Sequence, residues 1–174
     1  MKDNLAKIAC NRSDLNCGYL TEKSKVVFFD RDGVLNVDKA YLHSIEELEW
    51  IDGAKEAVAY LTKEGYIVFV VTNQSGIARG YYEVEDMERL HEHMAAEIIA
   101  AGGKITKFYY CPHLPTGKVA QYAIECDCRK PKPGLLLQAM SEYHICKENS
   151  FLIGDKRRDL EAAEAAGIRG YLYE

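Results

Sequence analysis

Three stretches of the chain, KVVFF (25–29), YIVFVV (66–71) and SFLIG (150–154), are short, almost unbroken in apolar residues and rich in β-branched and aromatic side chains. A strand with one face in water alternates apolar with polar residues, so runs without alternation belong to strands covered on both faces. Between these runs the apolar period lengthens to that of helices, in DGAKEAVAYLTKEG closed by Gly65, in EVEDMERLHEHMAAEIIAAGG, in GLLLQAMSEYH and in RRDLEAAEAAG. ITKFYY and IRGYLY add two further strands. Strands alternating with helices predict an α/β fold: a central parallel sheet with helices on both faces, and a ligand site beyond the carboxyl ends of the strands.

The 174 residues, 48% hydrophobic and 28% charged, suffice for one core. A net charge of −5 with dispersed Lys and Arg argues against a nucleic-acid or membrane binder, and a small anionic substrate fits better. There is no long apolar span and no signal-like leader, so the expected place is the cytoplasm, where the six cysteines are thiols or metal ligands rather than disulfides. Residues 1–24 read as an N-terminal extension, ordered or disordered, before a single domain over 25–174. The irregular stretch 111–134 holds all four prolines, and a loop of this length inside a compact domain is usually functional.

Polar residues interrupt the strands at one end only: Asp30 and Asp32 after the first, Thr72 and Asn73 after the second, Asp155 after the fourth. In extended chain, residues two apart share a face, so Asp30 and Asp32 are expected together with Arg31 turned away. A lone DxD after a strand is more often a turn or cap; convergence with the other strand ends is what raises it. Carboxylates gathered at one mouth repel unless a hard cation sits among them, and oxygen ligands suit Mg2+. A phosphate ester is the matching substrate, with Lys130, Thr72 and the turn TNQSG to meet its charge.

FFDRDGVLN, VVTNQSGIARG, CRKPKPG and FLIGDKRRD, in this order, resemble the four motifs of the haloacid dehalogenase (HAD) superfamily of aspartyl-phosphate phosphatases. TNQSGIARG together with CPH…CDCRKPKPG is similar, more narrowly, to the branch that dephosphorylates heptose 1,7-bisphosphate, with histidinol-phosphate phosphatases as close relatives. The resemblance implies a Rossmann-like HAD fold with a short flap (33–50) and no large cap domain. It implies Asp30 as nucleophile, Asp32 as general acid and base, and Mg2+ on Asp30, the backbone of Asp32 and Asp155. Thr72 and Lys130 would stabilise the phosphoryl group, and Asn73 would donate its amide to it. Asp38, Lys39, Ala40, Tyr41, Asn73, Gln74, Ser75, Arg129 and Lys156 match substrate-contacting positions. Asp159 either orients the metal's waters or is a solvated helix residue. Val34 replaces the Thr that many relatives carry, which alters packing under the flap.

Cys111, His113, Cys126 and Cys128 form a C-x-H…C-x-C set closing one loop (111–128), the pattern of a structural Zn2+ site; the alternative is thiols beside a chance histidine. His91 and His93, two apart on a helix, face different ways and read as a solvated surface. Cys10, Cys17 and Cys146 read as free thiols. The expectation is a monomeric phosphatase acting on a sugar bisphosphate. Rival readings are a histidinol-phosphate phosphatase, a non-catalytic zinc-loop protein and a DNA 3′-phosphatase.

Overall fold

The computed structural model describes residues 24–174. The expectation for the N-terminal extension therefore falls, but for its last residue, outside the described residues. The elements run β1 (Lys25–Phe29), α1 (Ala54–Lys63), β2 (Tyr66–Asn73), α2 (Gly76–Arg79), α3 (Val84–Ala100), β3 (Ile105–Cys111), α4 (Gly134–Tyr143), β4 (Ser150–Gly154), α5 (Arg157–Ala166) and β5 (Arg169–Leu172). All five strands join one parallel sheet in the order β3-β2-β1-β4-β5.

The unbroken apolar runs are explained by what covers them. Val26 and Phe28 of β1, with Phe69 and Val71 of β2, pack under α4 and α5 against Leu136, Ala139, Ala162 and Ala166. Their neighbours Val27, Phe29, Val68 and Val70 point the other way, against Val58 of α1 and Leu90, Met94 and Ile98 of α3. Each such side chain, taken from water, contributes about 2 kcal/mol of hydrophobic stabilisation. The chain winds from β1 outward through β2 to β3, then returns to lay β4 on the other side of β1. The order reverses between β1 and β4, and a crevice opens there because the connections leave in opposite directions. Asp30 and Asp155 follow these two strands.

The flap is a small hairpin over that crevice: Val37 N–H donates to the Glu49 carbonyl at 2.8 Å and Ile51 N–H to Leu35 at 3.0 Å. Leu35 and Leu42 bury its underside. Ala40 and Tyr41 at its tip hold left-handed backbone angles, φ 50° and 75°, uncommon for residues with a Cβ.

Candidate active site

Asp30 lies at the mouth of the crevice and is almost wholly buried. Its Oδ1 accepts the Arg31 backbone N–H at 2.7 Å and lies 2.9 Å from Lys130 Nζ. Lys130 Nζ also donates to the Val71 carbonyl at 2.8 Å and pairs with Asp159 at 2.7 Å. Burial is the largest influence on Asp30 and pushes it up to about 6; Lys130 partly offsets this, and the Asp159 charge adds to it. Asp30, Asp155 and Asp159 bring carboxylate oxygens within 4.8 Å of one another, a set that could hold a metal ion. Asp155 Oδ1 is buried with no hydrogen-bond partner, and a Cβ at Gly33 would collide with the Asp155 carboxylate. An all-oxygen donor set at this spacing fits Mg2+.

Asp32 is half-buried and receives donors from three side chains. Arg31 Nη2 reaches its oxygens at 2.9 and 3.0 Å, Asn36 Nδ2 reaches Oδ1 at 3.0 Å, and Gln74 Nε2 reaches Oδ2 at 3.0 Å. Gln74 Nε2 also donates to Thr72 Oγ1 at 2.8 Å, which leaves the Thr72 hydroxyl proton available to another acceptor. Tyr82 donates to Gln74 Oε1 at 2.6 Å, and burial pushes the Tyr82 phenol up to about 12. Lys156 Nζ bridges Asp155 and Asp38 at 2.9 and 2.8 Å, linking the β4 loop to the flap. These contacts hold Asp38 below the usual carboxylate range, the Lys156 hydrogen bond first among them, and raise Lys156 in turn, the Asp38 hydrogen bond leading.

A cleft of about 320 Å³ opens above these groups. Asp38, Ala40, Tyr41, Asn73, Gln74 and Ser75 line it, as do Arg129 and Lys156. Arg79 and Arg158 line it too, and the Nε of each is buried without a hydrogen-bond partner.

Beside the cleft, Cys111, His113, Cys126 and Cys128 bring their ligand atoms within 4.8 Å of one another. The Sγ atoms of Cys111 and Cys128 are 3.1 Å apart, those of Cys111 and Cys126 3.6 Å, and His113 Nδ1 lies 3.3 Å from Cys128 Sγ. Tetrahedral Zn–S bonds would place sulfurs about 3.8 Å apart, so the donor set fits zinc. The hydrogen-bonded contact between Cys111 and Cys128 is the main reason Cys128 falls to about 5, while the same contact raises Cys111. Arg129 Nη1 donates to the His113 carbonyl at 3.4 Å and so ties this cluster to the cleft.

Residues 27–126 match the family described as haloacid dehalogenase-like hydrolase, and residues 127–174 match a HAD-hydrolase-like family. The chain belongs to the haloacid dehalogenase-like hydrolases. It is 46% identical over 145 residues, 83% of this chain and 78% of that protein, to the D-glycero-β-D-manno-heptose-1,7-bisphosphate 7-phosphatase of Pasteurella multocida. The enzyme of that name from Escherichia coli K12 is 45% identical over 142 residues, 82% of this chain and 74% of that one. Among solved structures, the D,D-heptose 1,7-bisphosphate phosphatase of B. bronchiseptica, complexed with magnesium and phosphate, is similar with a TM-score of 0.77. Its identity is 34%, over 85% of this chain and 79% of that chain.

In this HAD-like hydrolase several expectations need correction. Asn73 lines the cleft but commits part of its side-chain amide elsewhere: Nδ2 donates to the Lys130 carbonyl and Oδ1 accepts the Lys130 N–H, each at 3.0 Å, so it clasps the lysine's main chain. Lys39 is not among the cleft-lining residues and pairs with Glu49 at 2.9 Å on the surface. Asp159 is not solvated; it is fully buried against Lys130. Arg31 does not turn away from Asp32, because β1 ends at Phe29 and the period-two rule ends with it. His91 is buried rather than solvated, stacked on Phe108 at 4.4 Å. Burial, and then the Arg31 charge, keep it well below the usual histidine range. His93 does sit half-exposed, 2.8 Å from Glu97. Arg79, Tyr82 and Arg158 were missed, although Arg79 and Arg158 stand inside the motifs GIARG and GDKRRD.

Proposed function

We propose that the chain is a Mg2+-dependent phosphatase that removes the C7 phosphate of D-glycero-β-D-manno-heptose 1,7-bisphosphate through an aspartyl phosphate on Asp30. The observation that carries this reading is the buried Asp30–Lys130 pair at the sheet's switch point, next in the chain to a cleft that Arg79, Arg129 and Arg158 line together with Asp32. One phosphate can be cleaved at Asp30 while a second is held by the arginines. The β anomer and the heptose come from the names of the relatives.

Asp30 attacks phosphorus, and the P–O bond to the sugar breaks. Asp32 gives its proton to the leaving oxygen, then takes one from the water that opens the acyl phosphate, releasing phosphate and the free Asp30 carboxylate. Thr72 donates its hydroxyl to the phosphoryl oxygens and Lys130 neutralises their charge. Asp30, the backbone carbonyl of Asp32 and Asp155 would hold Mg2+, which when bound supplies positive charge against the substrate's phosphate. Asp38, Ala40, Tyr41, Gln74, Ser75 and Lys156 contact the sugar; Arg129, with Arg79 and Arg158, takes the retained phosphate, for which a guanidinium fork is well shaped.

Cys111, His113, Cys126 and Cys128 would hold a structural Zn2+, leaving no position for water and pinning the loop that carries Arg129 and Lys130. The reading includes a monomer in the cytoplasm, a compartment that the thiol set suits. No helix among the described residues is long and apolar enough to cross a membrane.

Initial rates on both anomers of heptose 1,7-bisphosphate, on histidinol phosphate and on a 3′-phosphorylated oligonucleotide test the assignment. The β-bisphosphate should give the highest kcat/KM. Preference for histidinol phosphate over both bisphosphates would overturn it.

A further inference from the structure

The residue between the two catalytic aspartates has no part in the reaction just described, yet Arg31 is among the largest side chains wholly removed from water. Burying a guanidinium is costly unless its N–H groups are met. They are met from three directions. Nε lies 3.2 Å from Asp32 Oδ1, and Nη2 chelates both Asp32 oxygens. Nη2 also donates to the Leu42 carbonyl in the flap at 2.9 Å. Nη1 lies 3.1 Å from Nε2 of His91, which is 60 residues further along, in α3.

An arginine has no lone pair to offer, so His91 Nε2 is the acceptor and the ring's proton is on Nδ1. The ring cannot swing away, because it lies flat on Phe108 of β3 with planes 13° apart. Thus β3 holds His91, His91 holds the far end of the guanidinium, and the near end holds Asp32. Asn36 and Gln74 complete the grip on Asp32 with two neutral amides, but only Arg31 contributes a charge-assisted fork.

We infer that Arg31 and His91 form a positioning pair that orients the Asp32 carboxylate toward the leaving oxygen and fastens the flap above it. This rests on Asp32 being the proton donor, as in the proposed function. The pair touches no reacting atom; its effect passes through Asp32.

A sugar alkoxide cannot depart without a proton, whereas p-nitrophenolate can, so a misaligned donor slows the first and spares the second. A purely structural role would slow both alike. The experiment is single-turnover formation of the phospho-enzyme from heptose bisphosphate and from p-nitrophenyl phosphate, in the full chain with Mg2+, for Asp32→Asn, Arg31→Lys, His91→Leu and His91→Gln.

In Arg31→Lys and His91→Leu, the heptose rate should fall about tenfold more than the p-nitrophenyl rate, with KM for the heptose moved less than about threefold. His91→Gln, which keeps an acceptor, should recover most of the loss and remains informative if the leucine variant does not fold. Histidine 15N shifts in the native protein should show Nε2 without a proton. Equal slowing of both substrates, or a protonated Nε2, would overturn the pair. The Asp32→Asn arm separates the two claims: a leaving-group signature there but not in His91→Leu defeats the pair alone, and none in Asp32→Asn defeats the proton-donor reading beneath it.

Discussion

The two clusters of candidate metal ligands are built in opposite ways. Asp30 and Asp155 stand at the ends of the adjacent parallel strands β1 and β4, where the ladder and two buried faces fix the main chain before any side chain is chosen, and Asp159 joins them from α5. The loop between β3 and α4, which carries His113, Cys126 and Cys128, has neither strand nor helix, and its main-chain bonds are turns and isolated ties, such as Lys118 N–H to Ala78 at 2.7 Å, rather than a ladder. Like charges crowd in the first region because the scaffold can bear their repulsion. The second lacks a ladder of that kind, and its side chains share the holding. The comparison teaches that a rigid sheet lets a site be electrostatically unfavourable, while a loop that must reach over that site needs a cross-link of its own.

The widest separation between the regions is expected from Asp30→Asn. Turnover should fall at least about a thousandfold, since the nucleophile is gone. Yet the metal-free protein should become more stable at pH 8. The carboxyl is raised to about 6 from 3.8, so its ionisation costs the folded state stability as pH rises through that window, and the cost is complete above it. The gain should be roughly 1 to 3 kcal/mol near neutrality and vanish near pH 4. Thermal melts across pH check it, and a loss of stability at pH 8 would show that Lys130 outweighs burial.

Cys126→Ser combined with Cys128→Ser should act in the other sense, lowering the melting temperature by roughly 6–12 °C. Activity should drop about 10- to 100-fold through misplaced Arg129 and Lys130. Metal analysis sharpens this: mild chelation should strip Mg2+ first and reversibly, since carboxylates and thiolates select different ions. Fully active protein without zinc would end the claim that the loop needs its cross-link.

Arg158→Ala, in the cleft's lining, should raise KM for the bisphosphate about tenfold while moving KM for a sugar monophosphate less than about twofold. Equal changes for both would remove Arg158 from the second-phosphate role. Smallest of all is Glu142→Gln, in neither region. Glu142 accepts Lys107 at 2.6 Å and Tyr109 at 2.7 Å, and the Lys107 contact leads in lowering it to about 2. The stability is present above pH 4.5 and is lost as pH falls toward about 2. The network is exposed, so the substitution should cost no more than about 1 kcal/mol at pH 7 and less in high salt.

Elements whose chemistry is local were legible in the sequence. Every strand and long helix follows from its own period, and Asp30, Thr72 and Asp155 from their place at strand ends. What could not be read were partnerships across the chain. Nothing near Arg31 announces His91, and nothing near Asn73 announces that Lys130 will occupy its amide. Lys39 belongs with these: its place came from the resemblance alone, and nothing beside it announces the pairing with Glu49 across the flap. Short α2 was unseen because four residues carry no period.

Lys130 also has a bearing on the order in which the molecule assembles. Its ammonium is received by Val71, 59 residues earlier, and its main chain by Asn73, 57 residues earlier, while Asp159 closes on it from α5. Contacts of such long separation form after the local ones, because loop closure has to precede them. The phosphoryl-stabilising cation thus comes into place only when β1, β2 and α5 are already together. During refolding, helical signal should return before hydrolytic competence, and a chain halted short of the final packing carries none of the activity rather than a fraction of it.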